Sequence, residues 1–197
     1  PITLKATEDT KRLYETVGKL AGINVLFDPD YPSRRIAIEL NGVSLEEALE
    51  IIPHLKDLNV ELVEQPLAKD NWKGMKVLFE ASVLPLFADE SCVGESDVLK
   101  CHHHFHGINI KLTKCGGITP ARRMIAKAKE LEMLVMIGCM NESSVGTAAI
   151  AHLAPLLDYV DMDGTLLLAE DIAKGVTFEM GRIHMTDGPG LGVTINN

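Results

Sequence analysis

From about residue 56 onward, short apolar runs, several with a carboxylate, a lysine or a glycine at the end, alternate with longer stretches of helical spacing. This rhythm constrains the fold more than any other feature of the chain. The runs are NVELVE (59–64), LPLFAD (84–89), INIKL (108–112), LVMIG (134–138) and DYVDM (158–162). Between them lie segments such as TPARRMIAKAKELE (119–132) and ESSVGTAAIAHLAPLL (142–157). Successive parallel strands need a crossover long enough to hold a helix, and strands covered by helices on both faces read as unbroken apolar runs. The pattern therefore predicts an α/β fold of about five βα units, the C-terminal part of a TIM-like β/α barrel. In such a barrel the reacting groups stand at the carboxyl ends of the strands. The tail VTFEMGRIHM predicts a hairpin around Gly181, followed by GPGLGV.

The first fifty residues have a different texture. Ile2–Lys5 reads as a strand, and Leu13, Val17 and Leu20 recur at helical spacing with Gly22 as a stop. INVLFDPDYP is a strand running into a turn, and RRIAIEL alternates before an Asn41-Gly42 turn. Ser44 and Glu47 form a capping box at a helix start. Residues 1–50 are thus expected to be a small α+β domain, with the barrel part over 51–197.

Acids exceed bases, giving a formal charge of −9, which argues against nucleic acid or an anionic membrane as a partner. No apolar run approaches the ~20 residues of a membrane span, and Pro1 opens no signal peptide. The four cysteines form no C-x-x-C pair and a chain of 197 residues can build a core without bridges, so reduced thiols and a cytoplasmic setting are expected.

At the strand ends stand Glu64, Asp89, Lys111, and Asp161 with Asp163. Two carboxylates on adjacent strand ends suit a hard cation such as Mg²⁺. A lysine across from that metal can remove a proton next to a carboxylate. Any one such charge is ordinarily solvated; it is the order along successive strands that points to a site.

The motifs VELVEQPL, FADES, INIKLTKCGGITPA, GCMNESSVG and DYVDMDG resemble, in order, the strand-end motifs of the enolase superfamily, and within its muconate-lactonizing subgroup those of the dipeptide epimerases. The resemblance covers residues 44–197. It implies Mg²⁺ on Glu64 and Asp89 and an acid/base role for Lys111. It also implies a dipeptide whose free α-amino group meets Asp161 and Asp163, with Met140 at the substrate and Lys114 secondary near the rim. The chain carries what resembles strands four to eight of such a barrel. The family's K-x-K lysine pair, a first metal-ligating aspartate and a capping domain have no counterpart in residues 1–43. Asp28 and Asp30 sit between prolines and read as a turn rather than as substitute ligands. Residues 1–50 instead resemble the short N-terminal domain of secretins and TonB-dependent receptors, through AGINVLFDPD and GVSLEEAL, which would imply the periplasm. The seam falls inside a helix, so the chain reads as a chimera.

Three motifs invite other readings. CHHHFHG (101–107) packs five potential metal ligands into seven residues, but neighbouring histidines point apart, and the segment leads into a strand on the face opposite the rim. GPGLG is a turn, since no helix follows to cradle an anion. Cys139 reads as a buried thiol rather than a nucleophile, and Glu142 and Ser143 as openers of the next helix.

The expected function is Mg²⁺-dependent epimerisation at the α-carbon of a dipeptide, limited by a single base, because inversion needs one base on each face. The alternatives are a non-catalytic interaction module of a secretion or receptor system, or a fusion with no selected function. Exposed barrel edges would favour homo-oligomers.

Overall fold

The computed structural model describes residues 8–9, 35–36, 43–57, 60–179 and 182–196. The readings made for Ile2–Lys5, for Leu13, Val17, Leu20 and Gly22, for Asp28 and Asp30, and for the turns at Asn41-Gly42 and Gly181 lie outside these residues. Two compact units divide the chain: residues 1–91 with 103–106, and residues 92–102 with 107–197.

In the first unit β1 (Glu8–Asp9) pairs antiparallel with β2 (Arg35–Ile36). Helix α1 (Leu45–Asp57) opens on the expected capping box: Ser44 N–H donates to Glu47 Oε2 at 2.8 Å and Glu47 N–H to Ser44 Oγ at 3.2 Å. The helix continues through Pro53, which deletes one intrahelical donor. Burial of Ala48, Ile52 and Leu55 offsets that loss. The boundary drawn between residues 50 and 51 falls within this helix. Strand β3 (Val63–Glu64) follows, then α2 (Trp72–Ala81), whose cap Asn71 accepts from Gly74 N–H at 3.0 Å. Strand β4 (Leu86–Ala88) pairs parallel with β3, Glu64 standing opposite Phe87.

The second unit holds α3 (Glu95–Cys101), β5 (Gly107–Ile110), α4 (Leu112–Cys115), α5 (Ile118–Glu130), β6 (Leu134–Ile137), α6 (Ser144–Leu153) and β7 (Tyr159–Val160). Strands β5, β6 and β7 pair in parallel. On α5 the buried residues Ala121, Met124, Ile125 and Ala128 recur at i, i+3, i+4, i+7, the spacing of one apolar stripe. The helix ends in a Schellman motif: Met133 N–H donates to Ala128 O at 2.9 Å and Glu132 N–H to Lys129 O at 3.1 Å. Glu132 takes the left-handed φ of 57° that glycine usually fills there. Helix α6 is buried along most of its length, so its orphan amides need a protein acceptor. Asp171 supplies it, accepting from both Ser144 N–H and Ser144 Oγ at 2.7 Å. Ser143 occupies the N-cap position but makes no side-chain cap, and Glu142 is buried. The helix-opening task expected of these two residues falls to Asp171 instead.

The parallel pairing of β3 with β4 in the first unit, and of β5, β6 and β7 in chain order in the second, is that of part of a β/α barrel, as expected. Three short antiparallel pieces follow. Strand β8 (Ala173–Lys174) pairs with β11 (Thr194–Ile195), and β9 (Thr177–Glu179) with β10 (Arg182–His184) in the anticipated hairpin. GPGLG is a turn with Gly190 and Gly192 at φ 65° and 67°, and it leads into β11, not into a helix.

Candidate active site

In an all-parallel sheet the carboxyl end of each strand runs into the loop before the next helix, and the buried polar residues of this chain gather there. In the first unit these are Glu64 and Gln65 after β3 and Asp89 and Ser91 after β4. Glu64 is 7% exposed and Asp89 2%. Buried carboxylates are costly without cationic or hydrogen-bonding partners. Both are hard oxygen donors, and they end paired strands, so this donor set fits Mg²⁺.

Between the two carboxylate-bearing loops lies Gln65. Its Oε1 accepts from Asp89 N–H and from Ser91 N–H, each at 3.1 Å. Its Nε2 donates to Leu67 O at 2.9 Å and to Ser91 Oγ at 3.0 Å. Ser91 Oγ in turn donates to Lys69 O at 3.0 Å. Two amide donors facing one atom and a carbonyl facing the other fix which end of the carboxamide is oxygen. The backbone of Gln65 has φ of 40°, a conformation that costs a non-glycine residue roughly 1–3 kcal/mol and persists only where the surroundings hold it.

In the second unit Lys111 follows β5, occupies the N-cap position of α4 and is 9% exposed; among the described residues it is the one buried lysine. Asn109, two residues earlier on the same strand face, is also buried. Gly138, ending β6, makes room for it, since a Cβ there would lie 2.7 Å from Asn109 Nδ2. Lys114, held as secondary, is half-buried on α4.

Beyond β6 and β7, Cys139 Sγ lies 4.0 Å from Asp161 Oδ1 and 3.8 Å from Asp163 Oδ1. Their ligand atoms all fall within 4.8 Å of one another, and both aspartates are exposed. Partial burial pushes the Cys139 thiol up to about 11, with the charges of Asp161, Asp163 and Glu142 acting the same way and a backbone hydrogen bond involving Gly164 opposing them. Two carboxylates beside a thiol that stays protonated make an anionic cradle suited to an ammonium group. Met140 is 49% exposed in the same loop, and its N–H donates to Glu142 Oε1 at 3.2 Å. Glu142 Oε2 is buried with no hydrogen-bond partner. Gly164 is forced by packing: a Cβ there would meet Met140 O at 2.0 Å.

All the strand-end residues anticipated from sequence therefore lie at strand ends or in the loops after them. Gln65, Asn109 and Glu142 were missed. Asn109 left a signal, a polar residue alternating with Lys111 in an otherwise apolar strand; Gln65 and Glu142 stand inside the motifs VELVEQPL and GCMNESSVG, where Glu142 reads only as a helix opener. The histidines of CHHHFHG diverge as expected. His106 Nδ1 accepts from Leu86 N–H at 3.1 Å, His104 meets Trp72 edge-on with ring centroids 5.3 Å apart, and His103 has φ of 61°.

Comparison with known proteins places this arrangement. The model of the family described as Enolase C-terminal domain-like matches residues 4–197. It takes in the first fifty residues, and the resemblance of that stretch to the secretin and TonB-receptor module finds no support. The L-Ala-D/L-amino acid epimerase of Flavobacterium johnsoniae is 57% identical over 154 residues, covering 78% of this chain and 46% of that protein. The L-Ala-D/L-Glu epimerase of Bacillus subtilis, solved as a substrate-liganded complex, superposes with a TM-score of 0.73 at 34% identity, over 80% of this chain and 47% of that one. A dipeptide epimerase from Methylococcus capsulatus complexed with Mg gives 0.71 at 33% identity, over 78% and 46%. The chain spans about half the length of the curated relatives it matches. With its parallel sheet, buried strand-end carboxylates and buried strand-end lysine, the chain belongs to the Enolase C-terminal domain-like family.

Proposed function

We propose that this chain carries the metal-ligand, acid/base and amino-group-binding residues of a dipeptide epimerase of the muconate-lactonizing subgroup. The observation that carries the reading is the buried Lys111 at the end of β5, preceded by strands ending in buried Glu64 and Asp89. Its support from relatives is the run of epimerases among them.

Glu64 and Asp89 would hold Mg²⁺, which draws charge from the substrate's carboxylate and so makes the neighbouring α-hydrogen more acidic. Lys111, as the neutral amine, takes that proton on Nζ and, as ammonium, returns it. Asp161 and Asp163 bind the substrate's α-ammonium group, fixing which carbon faces Lys111. The half-exposed Met140 lies in the loop that flanks this cradle, where a substrate side chain would pass. Inversion requires delivery of a proton to the opposite face, and Lys111 serves one face only.

The recognition claim is tested with L-Ala-L-Glu and its N-acetyl derivative in D₂O with Mg²⁺. Exchange of the free dipeptide and none of the acetylated one is expected. Equal exchange of both would remove Asp161 and Asp163 from substrate binding.

A further inference from the structure

We infer that Gln65 is the positioning residue that sets the metal affinity of this site, by fixing Asp89 relative to the loop that follows β3. The inference rests on the reading of Asp89 as a metal ligand. Gln65 uses every hydrogen-bonding position of its carboxamide: two lone pairs for Asp89 N–H and Ser91 N–H, two protons for Leu67 O and Ser91 Oγ. It is 5% exposed, so none of these partners is exchanged cheaply for water. The backbone N–H of Gln65 donates to Phe87 O at 2.8 Å, continuing the β3–β4 ladder to the point where Asp89 departs from it. One side chain thus ties residues 65–67 to residues 89–91 just where the ladder ends, and Ser91 Oγ extends the tie to Lys69 O. A left-handed backbone at a buried glutamine, kept although glycine would adopt it freely, agrees with a side chain selected for its bonds.

No other residue type reproduces this pattern. Glutamate would turn a carboxylate oxygen toward Leu67 O, and methionine would fill the space with no bonds at all. Freed of Gln65, the Asp89 amide and carboxylate can shift, and groups that orient metal ligands cost about ten- to a hundredfold in affinity when removed.

The experiment is titration of the chain with Mn²⁺, the free ion being followed by its electron paramagnetic resonance signal, for wild type, Asp89→Asn, Gln65→Met and Ser91→Ala. Thermal melts and far-UV circular dichroism accompany each variant. Expected are measurable binding by wild type, loss in Asp89→Asn, about ten- to a hundredfold weakening in Gln65→Met with the fold retained, and a smaller weakening in Ser91→Ala. Wild-type affinity in Gln65→Met would overturn the inference while leaving Asp89 a ligand. Equal binding by wild type and Asp89→Asn would overturn the metal reading itself, and the inference with it. If Gln65→Met does not fold, Ser91→Ala decides: it removes one of the four bonds, and unchanged Mn²⁺ affinity there overturns the inference.

Discussion

Lys111 is buried and Cys139 half-buried, and each carries its own prediction. A buried lysine at a strand end is expensive unless it works or is paired, and replacing it should remove proton transfer without unfolding the chain. Lys111→Ala is expected to lower α-hydrogen exchange by about 10²–10⁴-fold, the usual contribution of a general acid or base, measured by NMR in D₂O. The Cys139 thiol, pushed up to about 11 by burial and by Asp161, stays protonated at neutral pH. Alkylation by iodoacetamide at pH 8 should be slower than for an ordinary exposed thiol, and Asp161→Asn should speed it by lowering that value. Because the folded thiol holds its proton more tightly than the unfolded one, its contribution to stability is present below pH 9.0 and declines toward about pH 11. The strand-end charges were legible because each closes an apolar run and announces its position. Gln65 was not, since its role depends on two loops that no local pattern connects.

Helix and strand existence could be read from periodicity, and helix ends from capping chemistry when the partner is local. The capping box at Ser44 and Glu47 was legible for that reason; the Asp171 cap on α6 was not, because acceptor and helix start lie 27 residues apart. Truncating it in Asp171→Ala should lower stability, read by denaturant titration as a shifted midpoint, as two bonds to Ser144 and one to Ala173 are lost. At the end of α5 the sign reverses. Glu132→Gly places glycine in a left-handed position and should raise stability by up to about 1 kcal/mol. Gly164→Ala should do the opposite, since the added methyl has no room beside the Met140 carbonyl, and the loop carrying Cys139 and Met140 must move.

For the molecule as a whole, the βα alternation and the order of five motifs led to part of a β/α barrel, and the parallel sheet and family match bear that out. Apolar side chains of the second unit stay exposed, among them Leu166, Leu167, Ile172 and Ile195 at 59–71%. Exposed apolar side chains that adjoin can drive association, and self-association in light scattering, relieved by Leu167→Glu, is the expected behaviour. Among the described residues no helix is long and apolar enough to cross a membrane. The central claim is that Lys111 moves the α-hydrogen of a dipeptide at a site assisted by Mg²⁺. Proton NMR of L-Ala-L-Glu in D₂O with Mg²⁺, run side by side for wild type and Lys111→Ala, tests it most directly. Loss of the α-proton signal in wild type and its retention in the variant is the predicted result. Identical traces for the two proteins would contradict it.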